Sequence, residues 1–371
     1  MFPPSFDYHR ASSVSEALSL LAELPDATLL AGGHALLPRL KNGRAEPGAV
    51  VDVSELPELI GVDVGSEATV VGAATTYATL LETGTEAGDA DEESDAGGSV
   101  GDPTAGRSVL EQHAPAFLEA TRAVGDRQIR NRGTVGGNLA EAHPESDLPA
   151  AALVADASVR IRGSGGEREV AVEEFLTGAF ESAVGDDEIV TAVRIPHVDG
   201  WDGSNGGDAE ENGSDRNEPT VDNGGAYVRK THPTSGYAMV GVAVRVGIDD
   251  GVIASARVAA NGVADTALRL SSVETALEGI DVTTEGVGER VTAAVENAPA
   301  DVPEATRRGD VHASAEYRVS VLPTYVERAV RAAVDSTEAG SDGGPDSVGD
   351  SAPDSDSGRN GRRDQQGGEP R

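Results

Sequence analysis

Two glycine pairs mark the positions where this chain could hold a phosphate-bearing ligand. The first pair lies in LLAGGHALLPRLKNG (29–43), where a short apolar run ends at Ala31 and Gly32 and Gly33 follow. Glycine lets a backbone approach a ligand closely and adopt positive φ. Successive free N–H groups in such a turn form a nest for an anion. A dinucleotide pyrophosphate is an anion that suits this nest.

The second pair, at 136–137, lies in GTVGGNLAEAHPESDLP (133–149). It opens a segment that is predicted to start a helix, and the N-terminus of a helix favours phosphate. Thr134 and Asn138 add side-chain hydrogen-bonding groups beside the backbone. Asp147 follows, and its carboxylate could accept hydrogen bonds from ribose or adenine.

Other nucleotide and catalytic motifs are absent from the sequence. The fingerprint G-x-G-x-x-G does not occur, and neither Lys41 nor Lys230 follows a glycine as in a P-loop. The seven histidines show no metal-binding spacing, and no Gly-x-Ser-x-Gly elbow provides a nucleophile. A nucleotide site here would therefore be neither of the Rossmann nor of the Walker type.

Taken together, the two glycine motifs resemble those of the flavin-binding medium subunits of the molybdenum hydroxylases, the family of xanthine dehydrogenases and aerobic carbon monoxide dehydrogenase. SFDYHRASSVSEALSLL (5–21) is similar to the opening of that family. AGGHALLPRLKNG (31–43) and RQIRNRGTVGGNLAEAHPESDLPAA (127–151) are similar to its two flavin motifs. AYVRKTHPTSGYAMVGVAV (226–244) is similar to the start of its C-terminal domain. The likeness covers roughly residues 2–334, apart from two acidic loops.

The resemblance implies an FAD site without catalytic side chains or metal ligands. The first motif would wrap the pyrophosphate through backbone amides, the second would form the opposite wall, and Asp147 would contact the dinucleotide. Tyr227, Lys230 or Tyr237 would lie near the isoalloxazine. Ala35 stands where the family usually has Ser or Thr, so one hydroxyl contact is missing and weaker binding is expected. The implied site residues are Ala31, Gly32, Gly33, His34, Ala35, Thr134, Val135, Gly136, Gly137, Asn138, Asp147, Tyr227 and Lys230.

The same resemblance implies an electron-transfer role inside a larger oxidoreductase. Electrons would pass from [2Fe-2S] clusters in a small subunit through FAD to an external acceptor, while a large subunit would hold the molybdenum cofactor. The expected assembly is a dimer of heterotrimers. The chain has no cysteine, so Cys-ligated clusters must lie elsewhere. A free-standing FAD oxidase or reductase and a non-enzymatic acidic binding protein are the alternatives, and the substrate stays open between CO, a purine and an aldehyde.

Three arginines precede the second glycine pair, Arg127, Arg130 and Arg132. They could offset flavin phosphates or pair with a partner subunit. The favoured interpretation is that they balance neighbouring carboxylates in an acid-rich fold. They are therefore left out of the predicted site.

The composition is strongly acidic. Of 371 residues, 64 are acidic and 29 basic, for a net charge of −35. This charge argues against a nucleic-acid partner, since duplex binding rests on neutralising phosphates. It is typical of a halophile, here expected to be haloarchaeal, in whose molar salt the Debye length falls to about 3 Å. MFPPSFDYHR lacks an apolar signal core and no apolar run of about 18 residues occurs, so a cytoplasmic location without a membrane span is expected.

Hydrophobic patterns predict the elements that position the two motifs. Helices are expected at 12–24 and 108–124, and strands at 27–33, 49–56, 68–75, 157–163 and 188–196. Further on, antiparallel strands are expected at 226–231, 237–249 and 252–262, followed by helices at about 271–279, 287–297 and 313–334.

These elements predict an α+β fold with two folded regions. Residues 1–198 would form an FAD-binding region of two subdomains, with an acidic loop at about 84–106. Residues 224–334 would form a C-terminal domain with a three-stranded antiparallel sheet and a helical bundle. An acidic linker at 199–223 and a disordered acidic tail at 335–371 complete the chain.

Overall fold

The structure is a computed structural model that describes residues 3–82, 103–197, 222–232 and 234–341. Most of the loop predicted at 84–106 and most of the linker predicted at 199–223 lie outside these residues. So does the predicted tail beyond residue 341. Within the described part, no helix is both long enough and apolar enough to cross a membrane.

The first subdomain is a three-stranded parallel sheet that carries the first glycine pair. Its elements are β1 (Asp7–Arg10), α1 (Val14–Glu23), β2 (Ala27–Leu30), α2 (Leu36–Lys41) and β3 (Ala49–Asp52), with strand order β1-β3-β2. The Ser13 hydroxyl caps α1 by accepting a hydrogen bond from the Glu16 amide at 3.1 Å. Because the strands are parallel, the turn after β2 lies beside the carboxyl end of β3, where ligands commonly bind.

The second subdomain is a five-stranded antiparallel sheet packed with helices. After a 3-10 turn at Pro57–Leu59 it contains β4 (Val62–Val64), β5 (Ala68–Gly72), α3 (Tyr77–Leu81), α4 (Pro103–His113), α5 (Pro115–Ala123), α6 (Arg127–Arg130), α7 (Val135–Glu141), α8 (Asp147–Val154), β6 (Ser158–Gly163), β7 (Gly166–Ala171), α9 (Val172–Phe175), β8 (Leu176–Gly178), β9 (Glu181–Ser182) and β10 (Glu188–Pro196). The sheet order is β4-β5-β10-β6-β7, and β8 pairs with β9. The second glycine pair opens α7.

The C-terminal domain is a four-stranded antiparallel sheet with helices. It contains β11 (Asp222–Thr231), β12 (Ala238–Asp249), β13 (Val252–Asn261), β14 (Leu268–Arg269), α10 (Ser271–Leu277), α11 (Val287–Val295) and α12 (Ala315–Ser341), with 3-10 turns at Ala298–Asp301 and Glu304–Thr306. The predicted α+β class, with a C-terminal antiparallel sheet and helices, is confirmed. The two-residue strand β14 adds a fourth strand to the predicted three, and it is too short to show a periodic pattern in the sequence.

The sheet of the C-terminal domain is buried on both faces. Val242 and Val244 of β12 belong to a core shared with the C-terminal helices. Ala243, between them, belongs to the core of the second subdomain, because α5 and α8 pack against this face of the sheet. Burial on both sides explains the nearly unbroken apolar run of β12.

Two predicted boundaries near the acidic loop differ from the structure. Helix α4 begins at Pro103, so the end of the predicted loop 84–106 is helical. The single helix predicted at 108–124 is interrupted at Ala114, and Pro115 begins α5. Proline has no N–H to continue a helix but fits its first turn.

Two further boundaries differ because β11 and α12 support each other. Strand β11 begins inside the predicted linker, and α12 extends into the predicted tail as far as Ser341. The Gly225 amide donates a hydrogen bond to the Ser336 hydroxyl at 3.1 Å. A side chain on Gly224 would collide with the Ala333 carbonyl. Glycines in the strand therefore let the polar end of the helix pack closely.

Candidate functional site

The first glycine turn leaves a row of backbone amides free to bind a ligand. It connects β2 to α2, and Gly33 adopts a left-handed conformation with φ of 78°. The Leu37 amide donates to the Gly33 carbonyl at 3.0 Å. Among the described residues no acceptor meets the amides of residues 32–35. A row of unsatisfied donors at the end of a parallel strand has the geometry of an anion nest.

A cleft of about 280 Å³ opens beside this turn. Its cations are Lys41 and Arg132 and its carboxylate is Asp52, so the cleft carries an excess of one positive charge. Asp52 is fixed by the Tyr8 hydroxyl at 2.6 Å and the Ser54 amide at 2.9 Å. The lining residues are Leu30, Ala31, Gly32, Gly33, His34, Leu37, Pro38, Lys41, Asp52, Ser54 and Arg132. A positive cleft with free amides suits a diphosphate, in a chain whose net charge is −35.

The second glycine turn uses its amides differently. The Val135 amide donates to the Thr75 carbonyl at 3.1 Å, and the Gly136 amide donates to the Ala73 carbonyl at 2.9 Å. A side chain on Gly136 would collide with Ala73. This turn is therefore fastened to the residues that follow β5. Among the first helical residues, the amide of Gly137 is the one that meets no acceptor within the described part of the chain.

The two turns touch each other. A side chain on Gly32 would collide with the Arg132 carbonyl and the backbone of Gly133. His34 lies beside this contact, with its Nε2 at 3.1 Å from the Ile129 carbonyl. The glycine at position 32 is thus required for the two motifs to form one continuous surface.

A chain of side-chain hydrogen bonds lies behind the second turn. The Ser146 hydroxyl donates to Asn138 Oδ1 at 2.6 Å, and Asn138 Nδ2 donates to the Tyr77 hydroxyl at 2.8 Å. These two bonds fix the orientation of the Asn138 amide. Tyr77 is buried and was not among the predicted site residues.

Comparison with known proteins identifies the family to which these two turns belong. Residues 4–198 match the FAD binding domain in molybdopterin dehydrogenase, and residues 227–333 match the CO dehydrogenase flavoprotein C-terminal domain. The chain belongs to this family.

Individual relatives support the same assignment. The chain is 30% identical to the carbon monoxide dehydrogenase medium chain of Hydrogenophaga pseudoflava, over 90% of this chain and 98% of that protein. It is 26% identical to the xanthine dehydrogenase FAD-binding subunit of Escherichia coli O157:H7, over 88% and 95% of the two chains. The solved carbon monoxide dehydrogenase from Hydrogenophaga pseudoflava that lacks the Mo-pyranopterin moiety superposes with a TM-score of 0.73, at 30% identity over 90% of this chain and 99% of that one.

These findings confirm that the chain is an FAD-binding medium subunit of the molybdenum hydroxylase type, and so part of an oxidoreductase. FAD is its cofactor. Within the described residues, no group of three potential metal-ligating side chains occurs.

The residues at the two turns fit an FAD. The amides of residues 32–35 have no acceptor among the described residues and could donate hydrogen bonds to an anion. The Thr134 hydroxyl is buried and has no hydrogen-bond partner in the described part of the chain. A Cβ on Gly137 would lie 2.6 Å from that hydroxyl, so a side chain at this position would crowd it. Unsatisfied polar atoms at both turns are what an absent polar ligand leaves behind.

Asp147 has protein partners that its predicted role did not include. It is the first residue of α8, and its Oδ2 pairs with Arg229 Nη1 at 2.7 Å. The Tyr227 hydroxyl donates to its Oδ1 at 2.6 Å. Burial raises the pKa of the Asp147 carboxyl, against the opposing effect of Arg229. Two predicted residues, Asp147 and Tyr227, are thus brought together in an ion-pair cluster between the second subdomain and the C-terminal domain.

The neighbouring Pro144 and Glu145 make the same connection. The Gly262 amide donates to the Pro144 carbonyl at 2.8 Å. Glu145 pairs with Arg318 Nη2 at 2.7 Å, and Arg318 also pairs with Asp310 at 2.9 Å. The segment HPESD (143–147) therefore fastens the C-terminal domain behind the second turn. Sequence reasoning missed this role because the partners lie far away along the chain.

Of the two other residues predicted near the isoalloxazine, Tyr237 lies near the second turn and Lys230 does not. The Tyr237 ring stacks on His143, with centroids 4.4 Å apart and an interplanar angle of 4°. Burial, and then Arg308, lower the pKa of His143 to about 4, so the stacked imidazole is neutral at pH 7. Successive side chains of a strand alternate between faces, so Lys230 shares the face of Val228, which packs against the C-terminal helices.

None of the three arginines forms an ion pair with a carboxylate within the part of the chain that the structure describes. Arg130 Nη1 donates to the carbonyls of Val124 and Gly125, both at 3.1 Å, and so shapes the preceding turn. Arg132 lines the cleft, and Arg127 is exposed. Arg132 is therefore a cleft residue that the prediction left out.

Proposed function

We propose that this chain binds FAD along its two glycine turns and passes electrons from iron–sulfur clusters of a partner subunit to an external acceptor. FAD, when bound, supplies the redox chemistry, and the protein supplies position and electrostatics. The observation that carries the proposal is the row of free amides at residues 32–35 beside a positively charged cleft.

Each part of the site has a proposed task. The amides of the first turn, from Ala31 to Ala35, hold the pyrophosphate, with Lys41 and Arg132 nearby to offset its charge. The Thr134 hydroxyl and the Gly137 amide form the second wall. Tyr237, backed by His143, borders the isoalloxazine and keeps water away from it. Asp147 and Tyr227 support this wall from the domain interface, while Lys230, on the opposite face of β11, has no task in the proposed site.

We propose a cytoplasmic assembly with a small iron–sulfur subunit and a large molybdopterin subunit, as a dimer of heterotrimers. The similarity to a protein named as a medium chain supports such a division into subunits. The two relatives are named for carbon monoxide and for xanthine, so proteins with similar FAD subunits act on different substrates. The substrate of this complex is therefore determined outside this chain.

We also propose that the protein is halophilic and of haloarchaeal origin. The support is its charge of −35, with only two lysines among its basic residues. Salt of molar concentration screens such self-repulsion. Unfolding midpoints at 0.2 M and 3 M potassium chloride should differ by many degrees, and equal midpoints would argue against a halophile.

The function is tested by purifying the chain in molar potassium chloride, adding FAD, desalting and recording the visible spectrum. A flavin spectrum near one equivalent is expected. The native complex is tested in parallel, by capture on the tagged chain. It should contain FAD, a cysteine-rich small subunit and a large subunit. Absence of flavin from both the chain and the complex would refute the proposal.

A further inference from the structure

Tyr77 is a buried phenol against the second glycine turn whose hydrogen-bonding capacity is only half used. It begins α3 and is 4% exposed. A side chain on Gly133 would collide with the edge of its ring. The amide of Tyr77 donates to the Gly133 carbonyl at 3.0 Å, so both backbone and ring are tied to the turn. Burial raises the pKa of Tyr77, and the phenol therefore keeps its proton.

The direction of the hydrogen bonds shows which half is unused. Ser146 donates to the Asn138 carbonyl oxygen, and the Asn138 NH₂ group donates to the Tyr77 oxygen. An amide nitrogen can only donate, so Tyr77 is the acceptor in this bond. Its own O–H proton meets no acceptor among the described residues. A buried donor without an acceptor is unfavourable, and native structures rarely leave one.

The groups around the Tyr77 hydroxyl indicate where an acceptor for its proton would lie. Asp147 and Tyr237 are close enough to act on the Tyr77 phenol electrostatically. The Asp147 oxygens already accept hydrogen bonds from Tyr227 and Arg229. No hydrogen bond joins the Tyr77 hydroxyl to either group within the described residues. Tyr237 belongs to the wall proposed to face the isoalloxazine, so an acceptor on this side of the hydroxyl would be part of the flavin half.

We infer that the Tyr77 hydroxyl donates a hydrogen bond to an oxygen or nitrogen acceptor of the flavin half of bound FAD. The inference rests on the proposed FAD-binding function and adds a positioning residue to it. Through Asn138 and Ser146, the same bond ties the flavin to the segment that holds the C-terminal domain.

The test is Tyr77→Phe, which keeps the ring and removes only the hydroxyl. FAD affinity should fall about 3- to 10-fold, the range for one neutral hydrogen bond. The visible absorption bands of the bound flavin should also shift, because a donor at the ring is lost. Tyr317→Phe, on the exposed face of α12, is the matched control and should change neither quantity. The thermal midpoint of the FAD-free protein should change little, because the lost acceptor of Asn138 Nδ2 is offset by removal of the unpaired O–H.

The possible failures can be told apart. If the wild-type chain and complex bind no FAD, the proposed function itself fails. If wild type binds FAD and Tyr77→Phe has the same dissociation constant and spectrum, the acceptor is a water molecule and the inference is overturned. Weaker binding with unshifted bands and a lowered midpoint of the FAD-free protein would show a purely structural role, which also overturns it.

Discussion

The two glycine turns look alike in sequence, AGGHA at 31–35 and VGGNL at 135–139, but they differ in what their amides do. In the first turn, four consecutive amides lack an acceptor among the described residues. In the second, the amides of Val135 and Gly136 are occupied by the carbonyls of residues 75 and 73. The first turn is built to bind, and the second is built mainly to be held in place.

The glycines serve different physical purposes in the two turns. Gly33 has a positive φ that a residue with a side chain rarely adopts. Gly136 has helical geometry, and glycine is needed there because a side chain would collide with Ala73. The second turn is further supported by HPESD, which connects it to the C-terminal domain. A local conformation therefore defines one turn, and long-range contacts define the other.

Removing the support behind the second turn should have the largest effect. Arg318→Ala leaves Glu145 and Asp310 without their buried partner, and removal of one member of such a pair costs about 3–5 kcal/mol. Urea unfolding in molar potassium chloride measures the loss. The control Arg331→Ala breaks an exposed pair with Glu327 and should cost less than about 1 kcal/mol. Equal losses in the two variants would contradict the supporting role of HPESD.

A substitution in the first turn should strongly weaken FAD binding but lower the free energy of unfolding less than Arg318→Ala does. Gly33→Val forces a branched residue into positive φ and should weaken FAD binding by at least about 100-fold, or about 2.7 kcal/mol. Gly165→Val, in a turn with open space around it, is the control and should bind normally. Fluorescence titration with FAD measures both. Normal flavin affinity in Gly33→Val would remove the first turn from the site.

Acid should destabilise the region near the second turn through His143. Its pKa is lowered from 6.5 to about 4, so the folded state favours the neutral imidazole. The resulting stabilisation is complete above pH 6.5 and is lost as the pH falls toward 4. Between pH 7 and pH 5 the loss should be about 2 kcal/mol. His143→Gln should lose less stability over this interval, whereas His9→Gln on β1 should behave like wild type. Identical pH dependence in all three proteins would rule out this effect.

The smallest effect should come from Thr134→Val, which should stabilise the FAD-free protein but weaken FAD binding, so that the two effects nearly cancel at saturating FAD. Replacing an unpartnered buried hydroxyl by a methyl group should stabilise the FAD-free protein by about 1 kcal/mol. If FAD supplies the missing partner, its dissociation constant should rise about 3- to 10-fold. Thermal midpoints with and without saturating FAD measure both effects. A lower midpoint of the FAD-free protein would mean that the hydroxyl has a partner in the protein.

The sequence predicted the ligand-binding turns well because their signals are local. A strand followed by two glycines can be recognised from neighbouring residues, and so can the paired motifs of the family. Which amides are free cannot be recognised in this way, because it depends on where residues 73–75 come to lie after folding. The same limit applies to Asp147, whose partner Arg229 is 82 positions away.

The errors in the predicted helix boundaries have a related cause. The end of α12 is polar and resembles the tail that follows it, yet it is helical because Gly224 and Gly225 of β11 accommodate it closely. The start of α4 resembles the acidic loop, yet its Leu110 is fully buried in the core of the second subdomain. In both places tertiary contacts outweigh a local composition that favours a loop.

The burial of the β11–β14 sheet on both faces also bears on whether the chain can be divided into parts that fold on their own. The two family matches cover residues 4–198 and 227–333. However, one face of the β11–β14 sheet is covered by α5 and α8, which lie within the first match. A fragment of residues 222–341 produced alone would expose Ala243 and Ala259 to water and leave Arg318 without Glu145. Such a fragment should aggregate, and co-expression with residues 1–197 should rescue it by complementation. The border between the two family matches is therefore not a border between independently stable parts, and we expect the second subdomain and the C-terminal domain to unfold together.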